Sequence, residues 1–172
     1  MVVFDSSLLL LLLDPEARPP LDPATQQPFE RCQERIDQLL KKLEQDGEKA
    51  VIPTPVLSEI LLIAGRAGRD YLHHLQHASI FRIVPYDTRA AIELADMTRQ
   101  FLDKGDKRGG VEGDWSKVKF DRQIIAIACV ESAHAIYSDD AKLGHAAKRV
   151  GLTVYCTADL PLPPAPDQPN LL

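Results

Sequence analysis

Apolar residues in this chain fall into short unbroken runs and longer stripes, and the two kinds alternate. Val2-Val3-Phe4, Ala50-Val51-Ile52, Ile80-Phe81-Arg82-Ile83-Val84, Ala135-Ile136-Tyr137 and Leu152-Thr153-Val154-Tyr155 show no helical period and are rich in β-branched and aromatic residues. Such runs are short buried strands. Between them, Phe29, Cys32, Ile36, Leu39, Leu40 and Leu43 recur on one helical face, predicting a helix over about 27–45 that Gly47 ends. Thr54 and Pro55 open a second helix in the order cap then proline, carrying Val56, Leu57 and the run 60–63. After Gly65 and Gly68 a further helix is expected over about 69–77, and Asp87-Thr88 begins another over 90–102. Ile124, Ile125, Ile127, Ala128 and Val130 mark an apolar helix led by Lys119-Phe120-Asp121, and 143–150 a short one closed by Gly151.

Strands separated by helices in this rhythm imply an α/β fold, a three-layer α/β/α sandwich on a mostly parallel five-stranded sheet. Right-handed crossovers then put helices on both faces. Two stretches stand outside the pattern. Residues 103–118, rich in glycine and charge, are expected to form a long loop. Past residue 157 the chain turns proline-rich, so we place one domain at 1–157 and a C-terminal tail at 158–172.

Composition narrows the classes. With 172 residues, 45% hydrophobic and 26% charged, the chain suits one globular domain with a sizeable core. A net charge of -5 excludes binding of nucleic acid by overall charge, so any such contact must be local. The three cysteines are scattered and in no ligand spacing, which points to reduced thiols and a cytoplasmic protein. Leu8 to Leu13 is too short to span a bilayer and no basic region leads it, so neither a membrane helix nor a signal peptide is expected. It reads as the first helical turns packed on the sheet.

The acids supply the candidate chemistry. Asp5 and the pair Asp139-Asp140 fall at the ends of predicted strands, where an open parallel sheet gathers its ligands. Asp121 and Glu59 fall in the early turns of helices. Taken singly, Asp121 and Asp140 also read as helix-start acids, worth about 0.3–1 kcal/mol each through the dipole. Glu59 fits that reading least, because its helical neighbours Pro55, Val56, Leu62 and Ile63 offer no partner and a buried lone carboxylate seeks a cation. Converging carboxylates repel, and a hard divalent cation, Mg²⁺ or Mn²⁺, is their common explanation. Such an ion activates water and stabilises charge developing at phosphorus.

Four segments carry a resemblance to a known family: Val2-Val-Phe-Asp5-Ser-Ser, Pro53-Thr-Pro-Val-Leu-Ser-Glu59-Ile, Phe120-Asp121-Arg-Gln-Ile-Ile-Ala-Ile-Ala and Ile136-Tyr-Ser-Asp-Asp140-Ala-Lys-Leu. In this order they resemble the PIN-domain proteins, the small metal-dependent ribonucleases used as VapC-type toxins. The resemblance implies that Asp5, Glu59 and Asp121 are core metal ligands. It matches Ser138 and Asp140 to the family's Ser/Thr-x-Asp pattern, which favours Asp140 as the fourth acid, with Asp139 as the alternative. Ser7 is similar to the small polar residue that orients the site. Further implied are the strand order 3-2-1-4-5, homodimer formation, an RNA substrate and an antitoxin partner. The expected function is hydrolysis of RNA phosphodiester bonds by an endoribonuclease, as the toxin of a toxin–antitoxin pair.

Arg99, Lys104, Lys107, Arg108, Lys117, Lys119 and Arg122 surround the 103–118 loop with Trp115 inside it, and Arg122, Lys119 and Trp115 are the candidates for gripping a phosphate and stacking a base. Interleaved acids make a solvated loop the competing reading. His73 and His77 share a helical face but have no third ligand at metal spacing. The rival function is a non-catalytic RNA- or protein-binding module that keeps the fold. A dehalogenase-like phosphatase fits poorly, because position 7 is Ser rather than Asp, and so does a receiver domain, because the third strand ends Ile83-Val84-Pro85.

Overall fold

A computed structural model of the chain describes residues 1–22, 24–103, 105–110 and 114–162. The runs of the sequence become β1 (Val2–Phe4), β2 (Ala50–Pro53), β3 (Phe81–Val84), β4 (Ala135–Tyr137) and β5 (Thr153–Tyr155). They join in one five-stranded sheet of order β3-β2-β1-β4-β5, every pair parallel. β1 is central, with Val3 opposite Val51 on one side and Ile136 on the other. All three residues of β1 are fully buried.

Helices cover both faces. α1 (Ser6–Leu13), α2 (Cys32–Gln45), α3 (Thr54–Ala64) and α4 (Gly68–His77) lie in the crossovers from β1 to β2 to β3, and α1 packs on α2 and α3 on α4. α5 (Thr88–Leu102), α6 (Trp115–Val130) and α7 (Ala141–Arg149) belong to the crossovers that run the other way, and α6 packs against both α5 and α7. That grouping follows from right-handed crossovers once the direction of travel along the sheet reverses. The reversal at β1 opens a crevice beyond the carboxyl ends of β1 and β4. Among the described residues no helix is long and apolar enough to cross a membrane.

Several boundaries differ from those read in the sequence. α2 starts at Cys32, not near 27, because the chain before it folds back: Leu21 bridges Pro28, and Arg31 precedes the helix in a left-handed conformation (φ 56°). Pro53 rather than Thr54 takes the cap position of α3, and the Thr54 hydroxyl accepts the Tyr86 N–H at 3.0 Å instead. α6 begins at Trp115, capped by the Asp114 carboxylate on Ser116 N–H, so the expected 103–118 loop ends four residues early and Asp121 lies in the second turn. Beyond residue 157 the chain still touches the core. Leu160 is buried in the core, and Arg35 of α2 donates to its carbonyl, while residues 163–172 of the expected tail lie outside the described residues.

Ile136 is fully buried at the heart of β4. Replacing it with Ala should cost about 3–4 kcal/mol through lost burial and the cavity left behind. Urea unfolding is expected to show a lower midpoint with an unchanged m value.

Candidate functional site

The β1–β4 pairing assembles the site. The Asp5 N–H donates to the Tyr137 carbonyl at 3.0 Å and carries the ladder one residue beyond β1, so Asp5 emerges beside Ser138, Asp139 and Asp140. The Asp5 carboxylate is buried, with Oδ2 accepting from Ser138 Oγ at 2.7 Å and Ser7 Oγ at 3.3 Å. Each serine oxygen in turn accepts a backbone N–H at 3.0 Å, Ser138 from Asp140 and Ser7 from Asp139. The strand tips and the start of α1 are thereby tied to one carboxylate.

Asp5, Glu59, Asp121 and Asp140 line a single crevice of about 260 Å³, with Ser6, Ser7 and Lys117 beside them and Leu10, Ile63, Phe120, Ile124 and Leu143 as apolar wall. Asp140 caps α7, its Oδ1 accepting from the N–H of Lys142 at 2.8 Å and of Leu143 at 3.2 Å. Its role as a helix-start acid and its place in the crevice therefore coexist. Asp139 turns away, and its carboxylate accepts from Thr157 N–H at 2.8 Å and Thr157 Oγ1 at 2.6 Å. Glu59 is half-buried at the rim, so the argument from a fully buried lone carboxylate does not describe it; the direction of α3 is what brings it in.

Lys117 is the group sequence reasoning placed elsewhere. Counted with the loop cations, it belongs instead to α6, one turn before Asp121. Its Nζ lies 2.7 Å from Asp140 Oδ2 and 3.5 Å from Asp121 Oδ1. Asp114, a cap residue followed by Trp115 and Val118 at helical spacing, was the signal for the earlier helix start.

Crowding of acids shows in their proton affinities. Burial pushes Asp5 above the usual carboxylate range, with the Glu59 charge adding to it and the Ser138 hydroxyl, the Ser6 backbone N–H and the Ser7 hydroxyl opposing it. Asp121 is pushed up to about 6, chiefly by burial and further by Asp140 and Asp5, against the pull of Lys117. For Asp140 burial also acts upward, but the Lys117 ammonium and two backbone N–H groups outweigh it and leave the carboxyl low. Lys117 is raised, because the two acids outweigh its desolvation.

An all-oxygen set of carboxylates with hydroxyls behind it is the donor chemistry of Mg²⁺ or Mn²⁺. The residues present fit such an ion in kind. Among the described residues, however, no three acids, histidines or cysteines stand grouped so as to hold one. The positive charge in the crevice is the Lys117 ammonium.

The expected substrate contacts lie apart from it. Arg122 is buried, its guanidinium 4.7 Å from the Phe101 ring and 5.5 Å from that of Trp115, and it donates to the Lys107 carbonyl and Thr98 Oγ1. It fastens the 105–110 segment to α5. Trp115 also lies 5.0 Å from Lys107 Nζ, and Lys119 is exposed and does not line the crevice. His73 and His77 stack at 4.0 Å on the exposed face of α4.

No family sequence pattern and no curated protein sequence matches the chain. Solved structures do. A chain of the DNA-bound VapBC complex from Salmonella typhimurium is 14% identical, with a TM-score of 0.58 over 91% of this chain and 97% of that one. A chain of VapBC2 from Rickettsia felis, bound to a fragment of its promoter, is 13% identical with a TM-score of 0.60, covering 91% and 98%. VapC20 from Mycobacterium tuberculosis, a toxin that cleaves the sarcin–ricin loop, is 13% identical with a TM-score of 0.53, covering 85% and 95%. The chain thus has the VapC-like PIN-domain fold.

Because folding raises the Asp121 carboxyl from 3.8 to about 6, the folded state binds that proton more tightly than the unfolded chain, and stability falls as pH rises across this interval. The Asp121→Asn variant should therefore gain on wild type by about 2–3 kcal/mol at pH 8 in EDTA, with the gap closing toward pH 4. Urea unfolding at the two pH values checks it.

Proposed function

We propose that this protein is a metal-dependent endoribonuclease and the toxin of a toxin–antitoxin pair. The observation that carries the reading is the convergence of Asp5, Glu59, Asp121 and Asp140, from four separate segments, in one crevice beyond the strand ends. The same fold in VapC20, described as cleaving the sarcin–ricin loop, supports RNA as the substrate class.

In this reading Asp5, Glu59, Asp121 and Asp140 would hold Mg²⁺ or Mn²⁺, whose chemistry there would be to activate water and to offset charge at the scissile phosphate. The chain's own part is to position and to exclude. Ser138 and Ser7 fix the Asp5 carboxylate by donating to it, so that Asp5 needs no rearrangement to act as an acceptor. Asp140 is pinned through Oδ1 by the start of α7 and leaves Oδ2 toward the crevice. Phe120, Ile124 and Leu143 keep one wall dry, which strengthens every charge interaction there.

A cytoplasmic site of action, a homodimer and an antitoxin complete the proposal, the last supported by the VapBC complexes among the structural neighbours. Leu62, 82% exposed on α3 close to Glu59, and its neighbour Ile63 give a partner apolar surface to cover. The second reading, a non-catalytic RNA- or protein-binding module, is favoured by one observation: the acids Asp121 and Asp140 are already paired with Lys117.

Incubation with RNA stem-loops in Mg²⁺ or Mn²⁺ separates the two. Wild type should produce defined cleavage products that EDTA abolishes, while Asp5→Asn and Glu59→Gln should lose at least about 100-fold in rate with their circular dichroism unchanged. Binding of the same RNA with no cleavage under either metal would hand the case to the binding module.

A further inference from the structure

Lys117 sits where local helix physics disfavours it. It is the third residue of α6, where the helix dipole repels a cation, and it precedes Asp121 by four residues, the weaker orientation for such a pair. Within the helix its partner is Asp121, at 3.5 Å from Oδ1, and the closer partner is elsewhere. What draws it in lies across the crevice: Asp140 Oδ2 at 2.7 Å, on the N-cap of a different helix. A residue that breaks a local preference to satisfy a distant one marks a functional demand.

The demand is charge. Four carboxylates line the crevice, and among the described residues lining it Lys117 is the sole base. Its side chain is 54% exposed, against 9% for Asp121 and 29% for Asp140, whose Oδ1 is fixed by the start of α7. The acids are thus held in the fold and the ammonium is on a flexible stem with a route back to solvent. We propose that Lys117 is a tethered counter-cation: in the metal-free protein its ammonium bridges Asp121 and Asp140, and a divalent cation reaches those acids only by displacing it. Lys117 then sets how tightly the site takes metal. This rests on the metal-centre reading above and adds to it the residue that governs occupancy.

Two measurements on the full chain test it. Lys117→Met keeps the stem's length and apolar character and removes the charge. By calorimetric titration with Mn²⁺ alone, the variant should bind about tenfold tighter than wild type, and in EDTA it should melt about 2–4 °C lower. In wild type labelled with ¹⁵N at lysine, the Lys117 ammonium resonance should shift or broaden on saturation with diamagnetic Mg²⁺. Equal or weaker Mn²⁺ affinity in a folded Lys117→Met protein overturns the inference and leaves the metal centre standing. So does an ammonium resonance that stays unmoved while Mg²⁺ binds. If neither protein takes up Mn²⁺ or Mg²⁺, the metal-centre reading itself falls, and displacement with it.

Discussion

Parallel pairing of β1 with β4, Phe4 opposite Tyr137, is the constraint on which the site depends. It unites segments more than 130 residues apart in sequence and fixes their register, so the residue leaving β1 and the residues leaving β4 arrive together. A shift by one residue would turn Asp5 into the sheet and point a strand residue at the crevice. The burial that enforces the register is severe: Val2, Val3, Phe4, Ala135 and Ile136 are all fully buried. Ser138 then converts register into position through its 2.7 Å hydrogen bond to Asp5. Fold stability and site geometry are consequently not separable at these strand ends, since the same ladder serves both.

The electrostatics follow from that assembly. Acids brought together by strand pairing and helix direction repel, and the fold answers differently at each. Asp140 is stabilised as an anion by the N-terminus of α7 and by Lys117. Asp5 accepts from the hydroxyls of Ser138, Ser7 and Ser6 and from the Ser6 backbone N–H, which offset only part of its burial. Asp121 has Lys117 at 3.5 Å and otherwise drifts toward the protonated form. Glu59, half-buried at the rim, retains solvent. Among the described residues that line the crevice, four carboxylates face one ammonium, so the compensation is partial and negative charge remains in excess.

How much of this was legible in the sequence varies with the physics behind each signal. Strand positions were readable because buried parallel strands have no polar alternation to confuse them, and Val2-Val3-Phe4 and Ala135-Ile136-Tyr137 stand out as unbroken apolar runs. The acids Asp5 and Asp140 were readable as strand-end residues, and the strand order came from resemblance alone. Helix starts were less so. The beginning of α6 was lost because charges and glycines around 103–114 masked a short cap signal at Asp114, and with it went the placement of Lys117. The direction of Arg122 was not legible either: adjacency to Asp121 in sequence puts it about 100° around the helix, toward Phe101 and the Lys107 carbonyl rather than the crevice. The orientation of Asp139 depended on Thr157, a contact between segments that periodicity does not encode.

Likeness at 13–14% identity has a physical explanation and a physical limit. A sheet core asks for apolar residues of suitable volume at the right period, which many sequences satisfy, so a fold persists where identities do not. Chemistry asks for particular groups at particular points, and the fold supplies only the points. In this chain those points are the end of β1, the inner faces of α3 and α6 and the cap of α7, and each bears a carboxylate. The assignment of function therefore leans on the acids rather than on the sandwich. Beside them stands Lys117 of α6, whose ammonium lies 2.7 Å from Asp140 Oδ2 and 3.5 Å from Asp121 Oδ1, so that the fold itself brings one positive charge to the acids.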